Sequence, residues 1–216
     1  MLSFGQHIGK WLVFMKDLVI NGSINLIKKN KPDYSQENLE IIKYGLLSVY
    51  LLVSKTVMLV LIAIILGIIK ELAIFILIYS IIRMPSFGLH ATKSYICFIA
   101  SSFIFIGSTY LSATTIMPIW LKIIVGLICT LLLFKNSPAD TAKRPIISPK
   151  RRLVYKIITT CLAIIFILLA VLIKNNFLAN CFIFSLVVQS FVTAPTIYKL
   201  FKLPYNNYKN YPNGLN

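Results

Sequence analysis

The chain has 216 residues, 58% of them hydrophobic, with a mean hydropathy of +0.82 and 22 Lys and Arg against 6 Asp and Glu. A soluble domain is roughly 45–50% apolar, and the excess here is gathered in Leu46–Ile69, Leu121–Phe134 and Ile157–Ile173, runs too long for a soluble core. Because a bilayer needs about 20 apolar residues per helix, the chain reads as an all-α polytopic membrane protein, and its charge of +16 fits basic cytoplasmic loops better than nucleic-acid binding.

The first forty residues read as a cytoplasmic amphipathic segment. Ile8, Trp11, Leu12, Met15, Leu18 and Val19 recur at helical spacing, as expected of a helix lying on a leaflet or docked on the protein's own loops. No h-region or cleavage site marks a signal peptide. Asn30–Pro32 ends the segment, and Asp33 or Ser35 caps the next helix.

Residues 41–200 read as a membrane domain of six spans, near 44–66, 67–82, 94–113, 118–134, 154–173 and 177–198. The second is short on apolar residues, yet the charges require it. With six spans, the basic segments 1–43, 83–93 and 135–152 and the tail 201–216 share one side, the cytoplasm. Three tight turns carrying Lys70, Lys122 and Lys174 face the other side. The tail, rich in Asn, Tyr and Pro, reads as disordered.

The motifs of zinc peptidases, P-loops and dinucleotide folds are missing, so no metal or cofactor is expected. No acid lies deep in a span, which argues against a proton-relay pump. Cys129, Cys161 and Cys181 sit in apolar runs, where Cys behaves as a small hydrophobe.

That leaves "RMPSFGLHATKSYICF", residues 83–98, with His90 and Cys97. A thiolate attacking a carbonyl while an imidazole shuttles the proton is the minimal nucleophilic pair. A loop His beside the membrane and a Cys in an apolar helix are each common without any function, and taken alone the pair favours that reading. On one helix seven residues span about 10.5 Å, far beyond the roughly 3 Å of direct contact. Pairing therefore requires His90 off the helix. Pro85 and Gly88 punctuate the segment, and Thr92 or Ser94 can start the next helix. With Ser94 as cap, Cys97 is the third helical residue. The helix dipole and Lys93 then both lower its pKa.

The second informative stretch is "KNSPADTAKRPIISPKRR", 135–152. Its three prolines forbid a simple helical loop. Asp140, the only acid after Glu71, either orients His90 or pairs with Lys143 or Arg144. The basic cluster suits lipid headgroups or an acidic peptide.

Taken together, Arg83, "FGLHA" at Phe87–Ala91, Cys97 and "SPADTAKRPI" at Ser137–Ile147, with "KYGL" at Lys43–Leu46, resemble the AgrB (accessory gene regulator B) family. The resemblance covers nearly the whole chain. It implies a membrane cysteine endopeptidase that removes the acidic C-terminal tail of a small AgrD-like precursor. A thioester acyl-enzyme would then allow cyclisation to a thiolactone or lactone. His90 and Cys97 match the family's catalytic residues, while Arg83, Gly88, Asp140, Lys143 and Arg144 are candidates for orienting them or binding substrate. Many members carry two adjacent glycines before the His, and here the first is Phe87. The expected partners are that precursor and the lipid bilayer of a bacterial cell membrane, with nucleic acid excluded and a homodimer left open. The alternative from a different class is a non-enzymatic peptide exporter or permease. A lipid-binding scaffold rests on the basic loops alone.

Overall fold

A computed structural model describes residues 17–31, 34–89, 94–141 and 145–211, with the backbone alone at 48, 51, 52, 55 and 94–98. The described residues are almost wholly helical. The chain divides into two compact units, Met1–Ile62 and Ala63–Asn216.

The first unit holds helix α1 over 17–30 and most of α2, Gln36–Ile65. The Asn38 amide donates to Ser35 Oγ at 3.2 Å, so Ser35 caps α2 as its sequence predicts. Asp33 and the apolar row from Ile8 to Met15 lie outside the described residues. Within α1, Leu18 and Val19 are exposed whereas Ile20 and Ile24 are buried.

The second unit is a helical bundle of α3 (Ile69–Ser86), α4 (Ser94–Thr114), α5 (Ile119–Asn136), α6 (Pro149–Leu172) and α7 (Asn176–Thr193), followed by short α8 (Pro195–Leu200). All six expected spans fall on helices. Among the described residues, α5, α6 and α7 are long and apolar enough to cross a membrane. Shorter apolar helical stretches cover Thr56–Ile65 and Ile99–Thr114. The connections at 66–68, 115–118 and 173–175 are tight, as the charge pattern requires. The Asn175 side chain accepts from the Leu178 amide at 3.0 Å and so starts α7 within one such turn.

Helix α7 is central, packing on α3, α4, α5 and α6. Phe75 and Ile82 of α3, Leu133 of α5, Phe166 of α6 and Leu186 of α7 form the core around it. At Gly126 of α5 a Cβ would lie 2.6 Å from Ile167 of α6, so these helices touch through a missing side chain. The face α7 turns inward is half polar: Asn180, Ser185, Gln189, Ser190 and Thr193 are buried beside Ala179, Cys181, Ile183, Leu186 and Val188. Helices in lipid gain little from burying apolar groups on one another, and polar bonds serve instead. Asn180 Nδ2, for example, donates to the Ser112 and Thr115 carbonyls at the end of α4, at 3.2 and 2.6 Å.

Three expectations change. The loop expected from Arg83 begins four residues later, because Arg83–Ser86 forms the last turn of α3. This gives the stretch expected as a short second span an 18-residue helix, about 27 Å long, though α3 is not among the helices apolar enough to cross a membrane. The sixth span does not run unbroken to 198. Pro195 forces Ala194 into an extended conformation, φ −68°, ψ 133°, and the chain restarts as α8. The tail is ordered as far as Tyr211. Asn206 adopts a left-handed conformation and Asn207–Asn210 forms a 3-10 turn packed on the body of the unit.

Candidate functional site

The site is built on the C-terminal end of α3. Pro85 has no amide proton to offer the helix, and the Ser86 hydroxyl bonds the Ile82 carbonyl. The Phe87 amide donates to the Arg83 carbonyl at 3.1 Å, and the helix stops. Phe87 follows at φ 56°, ψ −141°, a backbone region that suits glycine. A Cβ is costly there. The Phe87 ring meets Tyr155 of α6 edge-on, 5.1 Å between centroids. Gly88 is at φ 124°, and a Cβ there would collide with the Arg83 guanidinium.

Arg83 doubles back over this turn. Its Nη1 donates to the Phe87 carbonyl, and its Nη2 to the Gly88 and Leu89 carbonyls at 3.3 and 3.1 Å. A planar fork of donors can serve three successive carbonyls, which the single point of a lysine cannot. Gln189 of α7 adds a second bond to the Phe87 carbonyl, 2.7 Å from Nε2. The Leu89 amide donates to the Val192 carbonyl at 3.3 Å. The backbone up to Leu89, the residue before His90, is thus fixed from two helices.

The 135–152 connection supplies a third support. Phe87 and Ala139 form an isolated parallel bridge. The Ala139 amide donates to the Ser86 carbonyl at 3.1 Å, and the Gly88 amide donates to the Ala139 carbonyl at 2.9 Å. Asp140 follows at once and is buried. Its Oδ1 accepts from the Asn207 amide at 3.1 Å. Its Oδ2 accepts from the Tyr208 amide at 3.0 Å and from Arg152 Nη1 at 3.4 Å. Tyr198 on α8 reaches the same strand, its hydroxyl lying 3.3 Å from the Ala139 carbonyl and 3.2 Å from that of Asp140. Burial pushes the Tyr198 phenol well up, opposed by Arg83 and reinforced by Asp140 and Tyr205, so it stays a donor.

Of the expected site residues, Arg83, Gly88 and Asp140 therefore converge on one turn. The backbone at Cys97 is helical and belongs to α4, whose described residues begin at Ser94. His90, Lys143 and Arg144 lie outside the described residues, as do Thr92, Lys93 and the side chain of Cys97. Among the described residues, the ion partner of Asp140 is Arg152.

Sequence reasoning missed Gln189, Tyr198, Arg152 and Asn207 as parts of this assembly. A lone amide in an apolar span was a usable signal for Gln189, and Pro195 for the break that redirects Tyr198.

The AgrB family profile, Accessory gene regulator B, matches residues 20–193. An AgrB-like protein of Clostridium acetobutylicum is 28% identical over 184 residues, 84% of this chain and 88% of that protein. AgrB-like proteins of Listeria monocytogenes serotype 4a and Listeria innocua serovar 6a are each 29% identical over 188 residues, 86% of this chain and 91% of theirs. No solved structure matches. With these likenesses spanning the clamped turn and the membrane helices alike, the chain belongs to the AgrB family, a membership that implies a role in processing the agr quorum-sensing peptide at a membrane.

Proposed function

We propose that the chain is a membrane cysteine endopeptidase acting on an AgrD-type precursor, with Cys97 as nucleophile and His90 as its base. The observation that carries this reading is the break at the end of α3. The helix stops at Ser86, and Phe87, Gly88 and Leu89 run off it directly before His90. Pairing needs such a departure, because one helix through both residues would hold them about 10.5 Å apart. The clamp of Arg83, Gln189 and Ala139 fixes the chain immediately before His90, which is what a base that must return to one place requires.

With α4 starting at Ser94, Cys97 would have the helix dipole favouring its thiolate. The thiolate attacks the scissile carbonyl, and the C–N bond breaks as the His90 imidazolium protonates the leaving amine. That frees the C-terminal tail and leaves a thioester on Cys97. A Cys or Ser of the precursor then attacks the thioester, His90 takes its proton, and the ring closes as the Cys97 thiolate departs. Transfer to an internal nucleophile wins over hydrolysis where water is scarce. Asp140 has both oxygens engaged by the tail and Arg152. Its role here is to position the strand behind the turn.

The test is co-expression with a candidate precursor and measurement of tail release. Cys97→Ala and His90→Ala should each abolish it while the protein still reaches the membrane. Normal cleavage by either variant would sink the protease reading and favour a non-enzymatic exporter.

A further inference from the structure

We infer that the cavity between the ends of α5 and α6 and the C-terminal tail is a headgroup site for an anionic phospholipid. The cavity measures about 460 Å³, and Lys135, Arg152, Lys156, Pro138, Tyr205 and Tyr208 line it. Lys135 is in the last turn of α5, and Arg152 and Lys156 lie one turn apart near the start of α6. Three cations therefore face one space of the size ordinary ligands fill.

Their own unit has too few acids to neutralise all three. Between Ala63 and Asn216 the only acids are Glu71 and Asp140, and Asp140 is already shared among Arg152 and three backbone amides. Aromatic faces hold two of the cations instead. Arg152 lies 3.6 Å over the Tyr208 ring, and the Lys156 ammonium lies 5.0 Å from the centre of Phe134. A ring face steadies a cation while leaving its N–H donors for a ligand.

Position selects the ligand. Both helices are long and apolar enough to span a membrane, and the cations stand where each one ends. Directly beside them Leu131, Phe134, Leu153 and Ile157 are exposed. A phosphate bound by the lysines would have its acyl chains laid along that apolar surface. An acidic peptide arriving from water would gain nothing from it. Basic pockets at the ends of membrane helices, flanked by tyrosine, are suited to lipid headgroups.

The test is native mass spectrometry of the full chain in detergent, titrated with phosphatidylglycerol and with phosphatidylcholine of the same acyl chains. The wild type should prefer the glycerol lipid by about thirtyfold, the scale expected of two lysines at a membrane surface. The pair Lys135→Gln and Lys156→Gln should bring the two lipids close to parity. The pair Lys70→Gln and Lys174→Gln, at the opposite turns, should keep the preference. Arg152 is left intact because it anchors Asp140. Equal binding of both lipids by the wild type, or a preference that survives in the first pair, overturns the assignment. So does displacement of the lipid by equimolar glycerol 3-phosphate, which would make it a free phosphate site, or by hexaglutamate, which would make it a peptide site. Thermal unfolding of the wild type needs no variant. It should shift upward with phosphatidylglycerol and not with phosphatidylcholine, and equal shifts count against the site.

Discussion

Replacing Asp140 by Asn keeps the shape of the side chain and removes one acceptor oxygen. In the wild type, Oδ1 serves the Asn207 amide while Oδ2 serves the Tyr208 amide and Arg152. Whichever way the new amide is turned, its NH2 faces a backbone N–H, and one anchor is lost. A hydrogen bond to a charged group contributes about 1.5–3 kcal/mol. Breaking a fully buried ion pair costs about 3–5 kcal/mol, but Arg152 is partly exposed, so the lower part of that range applies. The expected cost is about 3 kcal/mol in the docking of the tail, which corresponds to roughly a hundredfold faster opening. Hydrogen–deuterium exchange on the full chain in lipid nanodiscs reads this directly. A peptide covering 201–211 should lose about two decades of protection, and one covering 84–89 should lose less. Ending the chain after Pro204 should reproduce the loss at 84–89. The positioning argument is refuted if the tail keeps its protection, or if 84–89 loosens in Asp140→Asn but not in the shortened chain. That second result would mean Asp140 acts on the His90 turn without the tail.

Arg83→Lys keeps the charge and loses the fork, so it should lower the rate of tail release at least tenfold with little change in membrane level, measured by cleavage and immunoblot; unchanged cleavage would show that the clamp is dispensable. At Phe87 the usual order of small residues should reverse. Phe87→Gly should be more stable than Phe87→Ala by about 1 kcal/mol in thermal unfolding, because only glycine enters positive φ freely. Alkylation of Cys97 by a membrane-permeant thiol reagent should proceed below the pH at which an ordinary thiol of pKa about 8.5 reacts, since a lowered pKa keeps the thiolate present as pH falls; an ordinary profile would count against activation by the start of α4.

The helices were legible because apolar run length and the sidedness of Lys and Arg are physical requirements of a bilayer. A helix does occupy the second stretch, weak in hydropathy, where the charges called for a span, although it is not among the helices apolar enough to cross a membrane by composition. What misled was local chemistry at helix ends. Arg83 and Pro85 read as loop residues, yet a proline in a last turn leaves just one carbonyl short of its partner, and Arg83 turns back over the backbone it precedes. Asp140 was read against Lys143 and Arg144, which lie outside the described residues, and its described partners include the nearby Ile146 amide as well as distant ones. Backbone amides 67 and 68 residues away carry no mark in a sequence, because any residue but proline offers one. The disordered reading of the tail failed for the same reason: its composition is that of a free chain, and its order comes from a carboxylate elsewhere. Gln189 was visible as an odd residue, but nothing in its neighbours told that it reaches the Phe87 carbonyl.

The bridge between Phe87 and Ala139 bears on how this chain can vary. Only Ser137 and Pro138 stand between the end of α5 and Ala139. Inserting or deleting one residue there would rotate the Ala139 peptide groups away from Ser86 and Gly88, as a slip by one does in any paired strand. Beyond Asp140, among the described residues up to Ser148, the Ile146 amide donates to Asp140 Oδ2 at a long 3.5 Å, a contact that fixes no register, so added length costs mainly loop entropy that grows slowly. The α5–α6 connection is therefore two segments under opposite rules. The first should be invariant in length and the second free to lengthen, so a tag or protease site inserted after Asp140 should be tolerated where the same insertion before Ala139 is not.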